Sequence, residues 1–187
     1  MSLLEIAAFL TSLLAVVLGV IGSRKTWIWW NLGSILYAIL FFQSDYFGSA
    51  ALQFVFIAAA FWGWFGWSNS GAKPRQSTNK ERTVIISVLL FASIAFYPLL
   101  IAIGATSSGI ESFGFVGSVI AQILMVLERF EAWPLWLIVD AAYTYQYFTG
   151  NLYLTSFLYL IFTALAVWGW YRWQRAAKEN ELPKFIK

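Results

Sequence analysis

The sequence predicts an all-α integral membrane protein with seven transmembrane helices, arranged as two parallel three-helix repeats joined by a linker helix (3-1-3). Of its 187 residues, 60% are hydrophobic and only 11% are charged, whereas about a quarter of the residues in a soluble domain are charged. Long apolar runs recur along the chain, and the pattern of the first three returns after the fourth. Composition, run length and repetition together predict this fold class.

Seven apolar runs predict the seven helices. Five are long enough, or nearly so, to cross the hydrocarbon core, which needs about 20 residues: 3–21, 50–67, 83–104, 113–127 and 152–170. Two shorter runs, 28–42 and 135–148, are rich in aromatic residues and are expected to span with the help of interfacial tryptophans. The first run is not expected to be a cleaved signal peptide, because it contains Glu5 and no basic residue precedes it.

The charged residues predict the orientation of the chain. When the loops alternate across seven spans, every Lys and Arg falls on one side, and the other side carries Glu5, Asp45 and Glu111. The positive-inside rule then predicts a cytoplasmic basic side, with the N-terminus outside and the C-terminus inside. The polar segment SNSGAKPRQSTNKER (68–82) is predicted to be a cytoplasmic linker whose charges serve orientation and anionic lipids rather than nucleic acid.

An internal repeat organises the chain. A shift of 106 positions aligns residues 5–67 with 111–173 without a gap. The matched pairs include Phe9/Phe115, Ser12/Ser118, Trp27/Trp133, Trp30/Trp136, Tyr37/Tyr143, Phe42/Phe148, Leu52/Leu158, Trp62/Trp168 and Trp64/Trp170. An apolar composition alone does not produce tryptophans paired at a fixed spacing.

The repeat predicts the domain organisation. Each copy contains three spans, and the fourth span returns the chain to its starting side, so the copies are predicted to be parallel. Parallel repeats are a known transporter architecture, in which the substrate binds near the membrane midplane between them. The predicted divisions are the first repeat (1–67), the cytoplasmic linker and fourth helix (68–104), the second repeat (105–174) and a cytoplasmic tail (175–187).

Three segments resemble the PnuC family of bacterial vitamin transporters: FFQSDYFGSAALQFVF (41–56), WPLWLIVD (133–140) and GNLYLTSFLY (150–159). The resemblance covers nearly the whole chain, and the 3-1-3 layout is the pattern of the SWEET sugar transporters. The resemblance to the PnuC family implies facilitated uptake of nicotinamide riboside, or of thiamine or riboflavin, across the bacterial inner membrane. It also implies a cytoplasmic kinase that traps the vitamin, and substrate contacts from Trp133 and Trp136. Some family members that carry nicotinamide riboside have Asn where this chain has Asp140, so the identity of the transported vitamin stays open.

Asp140 stands out because it lies within an apolar and aromatic span. It follows Trp136 by one helical turn, and Tyr143 and Tyr147 continue the same face. A carboxylate inside a span costs about 2.5–3.5 kcal/mol on insertion scales and normally faces a cavity or a partner. We therefore expect Asp140 to contact the substrate. The alternative is a protonated side chain bonded to a neighbouring helix, for example to Gln122.

The other candidate substrate-binding residues are uncharged: Gln43, Gln53, Gln122 and Tyr37. The glutamines either line the pore or bond helix to helix, and the sequence leaves both open. Most tryptophans near the ends of the runs are expected in an interfacial belt: Trp27, Trp29, Trp30, Trp67 and Trp173. Two others, next to glycines, are expected to pack helices closely: Trp62 and Trp168.

Several classes of function are excluded by missing residue types. The chain has no cysteine and no histidine, which removes thiolate and histidine catalysis and most zinc sites. A phosphate loop for ATP is absent, and so are a pair of intramembrane aspartates for proteolysis and a lysine in the last span for retinal. We therefore predict that the protein is not an enzyme and has no catalytic residue, no metal site and no cofactor. A channel and a transporter subunit that needs another protein remain alternatives, and homo-oligomerisation stays open.

Overall fold

The computed structural model describes residues 3–43, 47–102, 108–151 and 153–181, and this part of the chain contains seven α-helices. In chain order they are α1 (Leu3–Val20), α2 (Thr26–Gln43), α3 (Phe47–Gly66), α4 (Asn79–Ala102), α5 (Ser108–Val126), α6 (Ala132–Thr149) and α7 (Tyr153–Glu181). The predicted all-α class is confirmed for these residues. Asp45, Lys184 and Lys187, which contribute to the charge pattern, lie outside the described residues.

Five helices, α1, α3, α4, α5 and α7, are long and apolar enough to cross a membrane. The chain is therefore a multi-pass membrane protein. The remaining two, α2 and α6, have 18 residues each, which corresponds to about 27 Å of helix. Both bury polar side chains in the protein interior: Ser34 and Tyr37 on α2, and Asp140 and Tyr143 on α6.

The helices form two groups of three, each packed around its middle helix. In the first group α2 contacts α1 and α3, and in the second α6 contacts α5 and α7. The groups meet where α1 packs against α7 and where α3 packs against α5. Among the described helices α4 packs only against α5, and Leu100 is its one buried residue. The interior of the protein therefore lies between the two groups, without α4.

The turns that lead into α2 and α6 have the same geometry. Gly22 (φ 76°) and Glu128 (φ 60°) both adopt the left-handed conformation, and they lie 106 positions apart in the sequence. The N–H groups of the next residues, Ser23 and Arg129, donate to helix carbonyls five positions back at 2.9 and 2.8 Å. Both turns are therefore Schellman motifs. Glycine adopts the left-handed conformation freely, whereas Glu128 does so against its steric preference.

Four tryptophans fill the core at the end of the bundle that carries these turns. We call it the basic end, because the described Lys and Arg residues lie there. Trp27, Trp67, Trp133 and Trp173 are each at most 2% exposed. Ring centroids are 4.9 Å apart for Trp27 and Trp67 and 5.6 Å apart for Trp133 and Trp173. The predicted interfacial position of Trp27, Trp67 and Trp173 is therefore wrong, because their rings pack on one another instead.

Two glycines allow these rings to lie against helix backbones. A Cβ added to Gly63 would lie 2.2 Å from Cε2 of Trp27, and one added to Gly169 would lie 2.4 Å from Cδ2 of Trp133. Any larger residue would collide with the rings. The preceding tryptophans were expected to pack between helices but have exposed side chains: Trp62 (51%) and Trp168 (45%). That prediction is wrong, because the glycines make the close contact and the tryptophans point outward.

The segment 68–78, which we call the strap, crosses the basic end from the first group to the second. The Ala72 N–H donates to the carbonyl of Gly22 at 2.8 Å, and the Arg75 N–H donates to the carbonyl of Glu128 at 3.0 Å. The two acceptors are the equivalent left-handed residues of the two turns. Phe130 N–H returns a hydrogen bond to the Arg75 carbonyl at 3.2 Å. The predicted cytoplasmic linker is thus bonded to both groups.

Acidic side chains of the second turn fix the strap further. Glu128 Oε1 accepts a hydrogen bond from the Lys73 N–H at 2.9 Å. Glu131 accepts from the Ser77 N–H at 3.0 Å and forms an ion pair with Arg82 at 2.8 Å. These contacts join the strap and the start of α4 to the turn between α5 and α6.

Candidate binding cavity

A cavity lies between the two groups, and every helix except α4 contributes to its wall. The lining residues are Ser12, Ala15, Val16, Trp30, Ser34, Tyr37, Phe41, Gln53, Phe56, Ser118, Trp133, Trp136, Asp140, Leu158, Tyr159, Phe162 and Ala166. The space not filled by protein atoms, including the mouth, is about 720 Å³. The lining combines apolar and aromatic side chains with a few polar groups, which is the usual composition of a small-molecule site.

Three aromatic rings form one wall of the cavity. Trp136 on α6 lies 6.0 Å from Trp30 on α2 and 6.0 Å from Phe56 on α3, measured between ring centroids. Trp30 and Phe56 are 6.4 Å apart and nearly perpendicular. A flat ligand ring can stack on such faces. Trp30 was predicted to lie in the interfacial belt, and this is wrong, because it lines the cavity.

Asp140 carries the one ionisable acidic or basic side chain among the described residues of the lining. It is 4% exposed. Its carbonyl oxygen accepts a hydrogen bond from the Thr144 hydroxyl at 2.7 Å, which is a bond within α6. The ion pairs among the described residues join other groups, and no described side chain donates to the carboxylate. An unpaired buried charge is unfavourable by several kcal/mol, so this carboxylate suits a ligand that brings positive charge or hydrogen-bond donors.

Four uncharged polar side chains complete the lining: Ser12, Ser34, Gln53 and Ser118. Ser34 occupies the position in α2 that Asp140 occupies in α6, so only one of the two groups supplies a carboxylate. Ser12 and Ser118 are likewise equivalent positions of α1 and α5. The cavity therefore offers hydroxyl and amide groups together with a single acid, and no lysine or arginine lies among its described lining residues.

The predicted tyrosines occupy two layers. Tyr37 lines the cavity and stacks on Phe41, with ring centroids 5.2 Å apart. Tyr143 and Tyr147 are buried but are not part of the lining. They contact Tyr159, which does line it, at centroid distances of 5.3 and 5.2 Å. Tyr143 and Tyr147 thus support the wall from behind.

The three predicted glutamines lie in different environments. Gln53 is buried and lines the cavity, whereas Gln43 is exposed at the end of α2. Gln122 is fully buried outside the lining, and neither amide atom has a partner among the described residues. The suggested hydrogen bond between Gln122 and Asp140 is therefore not seen. The buried indole nitrogens of Trp133 and Trp136 are also unpaired, so each can donate to a ligand.

Of the predicted binding residues, the structure brings five together around the cavity: Trp133, Trp136, Asp140, Gln53 and Tyr37. The residues not predicted come mainly from the first group. Trp30 and Ser34 could have been found, because the repeat pairs them with Trp136 and Asp140. Tyr159 and Phe162 have a weaker signal, because the repeat partner of Tyr159 is the unlike Gln53 and the repeat partner of Phe162 is Phe56, which was not predicted either.

Comparison with known proteins gives consistent matches along almost the whole chain. The sequence profile of the nicotinamide mononucleotide transporter family matches residues 2–175. The riboflavin/roseoflavin transporter RibM of Streptomyces davaonensis is 27% identical over 172 residues, which cover 86% of this chain and 80% of that protein. The nicotinamide riboside transporter PnuC of Escherichia coli is 23% identical over 217 residues, with 96% and 88% covered.

A solved structure has a similar fold. The crystal structure of the vitamin B3 transporter PnuC superimposes with a TM-score of 0.82 at 20% sequence identity. The match covers 95% of this chain and 83% of the other. The two chains therefore share the helical fold that surrounds the cavity.

Proposed function

Since the chain belongs to the nicotinamide mononucleotide transporter family, we propose that it carries nicotinamide riboside into the cell by facilitated diffusion. Relatives that cover most of its length are named nicotinamide riboside transporters and a riboflavin/roseoflavin transporter. The cavity between the two helix groups is the binding site. The protein lies in the bacterial inner membrane, and a cytoplasmic kinase that phosphorylates the vitamin prevents its return.

The observation that carries the proposal is the unpaired carboxylate of Asp140 beside Trp136. Nicotinamide riboside and thiamine each contain a flat ring with a fixed positive charge. Such a ring gains a cation–π contact on a tryptophan face and pairs with the carboxylate in a site that excludes water. We therefore assign Trp136 as the side chain on which the vitamin ring stacks, and Trp133 as a second wall of the site.

The same carboxylate argues against a mononucleotide as the substrate, although the family description names one. A phosphate group carries about −1.5 to −2 charges at pH 7 and normally binds to arginine, lysine or a helix N-terminus. The described lining offers no basic side chain, and Asp140 would repel the phosphate. We therefore assign the nucleoside rather than the nucleotide.

Riboflavin is the second candidate, because the relative RibM, 27% identical, is named for it. Riboflavin is neutral, so it would use the cavity differently. Its ribityl hydroxyls would donate hydrogen bonds to Asp140, and its ring would stack on Trp136. The two candidates differ in how much they depend on the charge of Asp140.

We further propose that the two helix groups are parallel repeats with α4 as the linker helix, in the 3-1-3 order, divided at residues 67, 104 and 174. Equivalent turns, equivalent helix contacts and lining residues from both groups support this arrangement. Transport then proceeds by rocking of one group against the other around the cavity. The sequence contains no phosphate loop for ATP, and we propose that the vitamin moves down its own gradient.

Transport by the purified chain tests the proposed function. Liposomes that contain this protein alone, without ATP or an ion gradient, are expected to take up labelled nicotinamide riboside until the inside and outside concentrations are equal. Protein-free liposomes are the control, and uptake is measured by filtration. Absence of uptake would support the alternative of a subunit that needs another protein. Accumulation above the outside concentration would contradict facilitated diffusion.

The proposed orientation makes a separate prediction. We expect the N-terminus outside and the basic end in the cytoplasm, because the basic residues lie on one side. The chain has no native cysteine, so single cysteines introduced as Ser2→Cys and Lys178→Cys report each side. In intact cells an impermeant maleimide is expected to label the first variant and to leave the second unlabelled until the membrane is permeabilised. Labelling of Lys178→Cys in intact cells would reverse the orientation.

A further inference from the structure

Two tryptophans at the basic end make reciprocal hydrogen bonds between the helix groups. The indole N–H of Trp67, which follows α3 of the first group, donates to the Val126 carbonyl at the end of α5 at 3.1 Å. The indole N–H of Trp173, on α7 of the second group, is shared between the Gly19 and Val20 carbonyls at the end of α1, at 3.1 and 3.2 Å. Trp67 and Trp173 are equivalent positions of the repeat, and so are Val126 and Val20. Each group therefore donates one indole N–H to the other.

These bonds lie in a closed layer of aromatic rings. Trp67 and Trp173 contact each other, with ring centroids 5.7 Å apart. Trp67 also contacts Trp27, and Trp173 contacts Trp133. All four side chains are buried, and Trp133 also lines the cavity. The layer therefore lies between the cavity and the surface of the protein at the basic end.

The carbonyl acceptors are groups that a helix leaves unpaired. The last carbonyls of α1 and α5 have no partner within their own helices, and water would bond them if the layer opened. The indole N–H groups would likewise bond water. Exchanging a protein bond for water bonds changes the free energy only modestly, so such a pair of bonds can hold a closed state and still release it.

We propose that Trp67 and Trp173 are positioning residues for transport, which hold the basic end of the protein closed through their reciprocal hydrogen bonds. This inference rests on the proposed transport function and on the proposed cytoplasmic location of the basic end. Opening the cavity toward the cytoplasm separates α1 from α7 and α3 from α5, and it breaks both bonds. The other two tryptophans of the layer contribute packing, since the Trp27 and Trp133 indole nitrogens have no partner among the described residues.

Accessibility of the cavity from each side tests the proposal without any substrate. Ser118 lines the cavity, so Ser118→Cys provides a single reporter in a chain that has no native cysteine. Inside-out vesicles and intact cells receive the same impermeant maleimide, and the labelling rates are compared. Trp67→Phe and Trp173→Phe each keep an aromatic ring and remove the N–H donor. Each is expected to raise the labelling rate from the cytoplasmic side about three- to tenfold, with no increase from the outside.

Matched controls are Trp62→Phe and Trp168→Phe, another repeat-related pair with exposed rings, which should leave both rates unchanged. Equal rises in the labelling rate from both sides would indicate general loosening of the fold and would overturn the proposal. Unchanged labelling rates in both variants would also overturn it.

If the phenylalanine variants do not fold, hydrogen exchange of the indole N–H groups in the parent protein tests the proposal instead. Trp67 and Trp173 are expected to exchange more slowly than Trp27 and Trp133, whose indole N–H groups are equally buried but have no partner among the described residues, and equal exchange would overturn the assignment. Since neither readout uses a vitamin, a failure of nicotinamide riboside uptake would be a separate result.

Discussion

Replacing Asp140 by asparagine is expected to weaken the binding of cationic vitamins about ten- to a hundredfold, and the binding of a neutral vitamin less, about tenfold at most. The two side chains have nearly the same shape, so the substitution removes the charge and keeps the packing. For a neutral vitamin the substitution replaces a hydrogen bond to a charged group, which contributes about 1.5–3 kcal/mol, by a neutral one of about 0.5–1.5 kcal/mol. A cationic vitamin also loses the attraction between its fixed charge and the carboxylate. Dissociation constants for nicotinamide riboside, thiamine and riboflavin, measured by calorimetry on the purified protein, give the comparison.

Trp136→Ala provides the contrast that separates charge from stacking. Stacking of a ring on an aromatic side chain is worth about 1–3 kcal/mol for any flat ring, so this variant should weaken all three vitamins, each about tenfold or more. Unchanged affinity of Asp140→Asn for every vitamin would show that the charge is not used in binding. Loss of folded protein in the same variant, recorded by thermal unfolding, would instead assign Asp140 a structural role.

Replacing Gly169 by alanine is expected to lower both stability and affinity. The new Cβ would lie 2.4 Å from the Trp133 ring, and a rigid ring beside a helix backbone can avoid it only by moving as a whole. Overpacking of this kind costs about 1–3 kcal/mol, which corresponds to about 2–12 °C in the unfolding temperature for a chain of this size. Because Trp133 lines the cavity, its displacement should also weaken vitamin binding on the order of tenfold.

The first helix group contains the matched comparison. Gly63→Ala collides with Trp27 at 2.2 Å, but Trp27 is not part of the cavity lining. This variant should therefore lose similar stability and keep its affinity. Gly66→Ala, on the same helix with open space around it, should lose neither. Equal affinities for the Gly63 and Gly169 variants would contradict the role of Trp133 as a cavity wall.

Much of the fold could be predicted from the sequence, because the length of an apolar run and the spacing of tryptophans can be read directly from the chain. The seven helices correspond to apolar runs, and the repeat pairs residues that occupy equivalent environments, such as Gly22 and Glu128 in their turns. Asp140 and Trp136 both line the cavity, in keeping with the few stable environments that a carboxylate has within a span, and their contact with the substrate stays a prediction.

The tryptophans show where sequence reasoning reached its limit. A tryptophan near the end of an apolar run is equally compatible with a headgroup contact and with a buried contact to another helix. Trp27, Trp67 and Trp173 are buried because the two groups meet at that depth, which depends on contacts far apart in the chain. The bond from Trp173 to Val20 spans 153 positions. No local pattern carries that information, and the same holds for the cavity position of Tyr159.

The strap also limits the distance that the two helix groups can travel. It bonds the Gly22 turn through Ala72 at 2.8 Å and the Glu128 turn through Arg75 at 3.0 Å. Three residues of fully extended chain reach only about 10–11 Å. While both bonds persist, the two carbonyl oxygens can therefore separate by no more than about 17 Å, whatever happens elsewhere in the interface. The maximum width of an opening at the basic end, and with it the size of the molecule that can pass, is thus limited by the number of residues between the two bonds rather than by the strength of a contact.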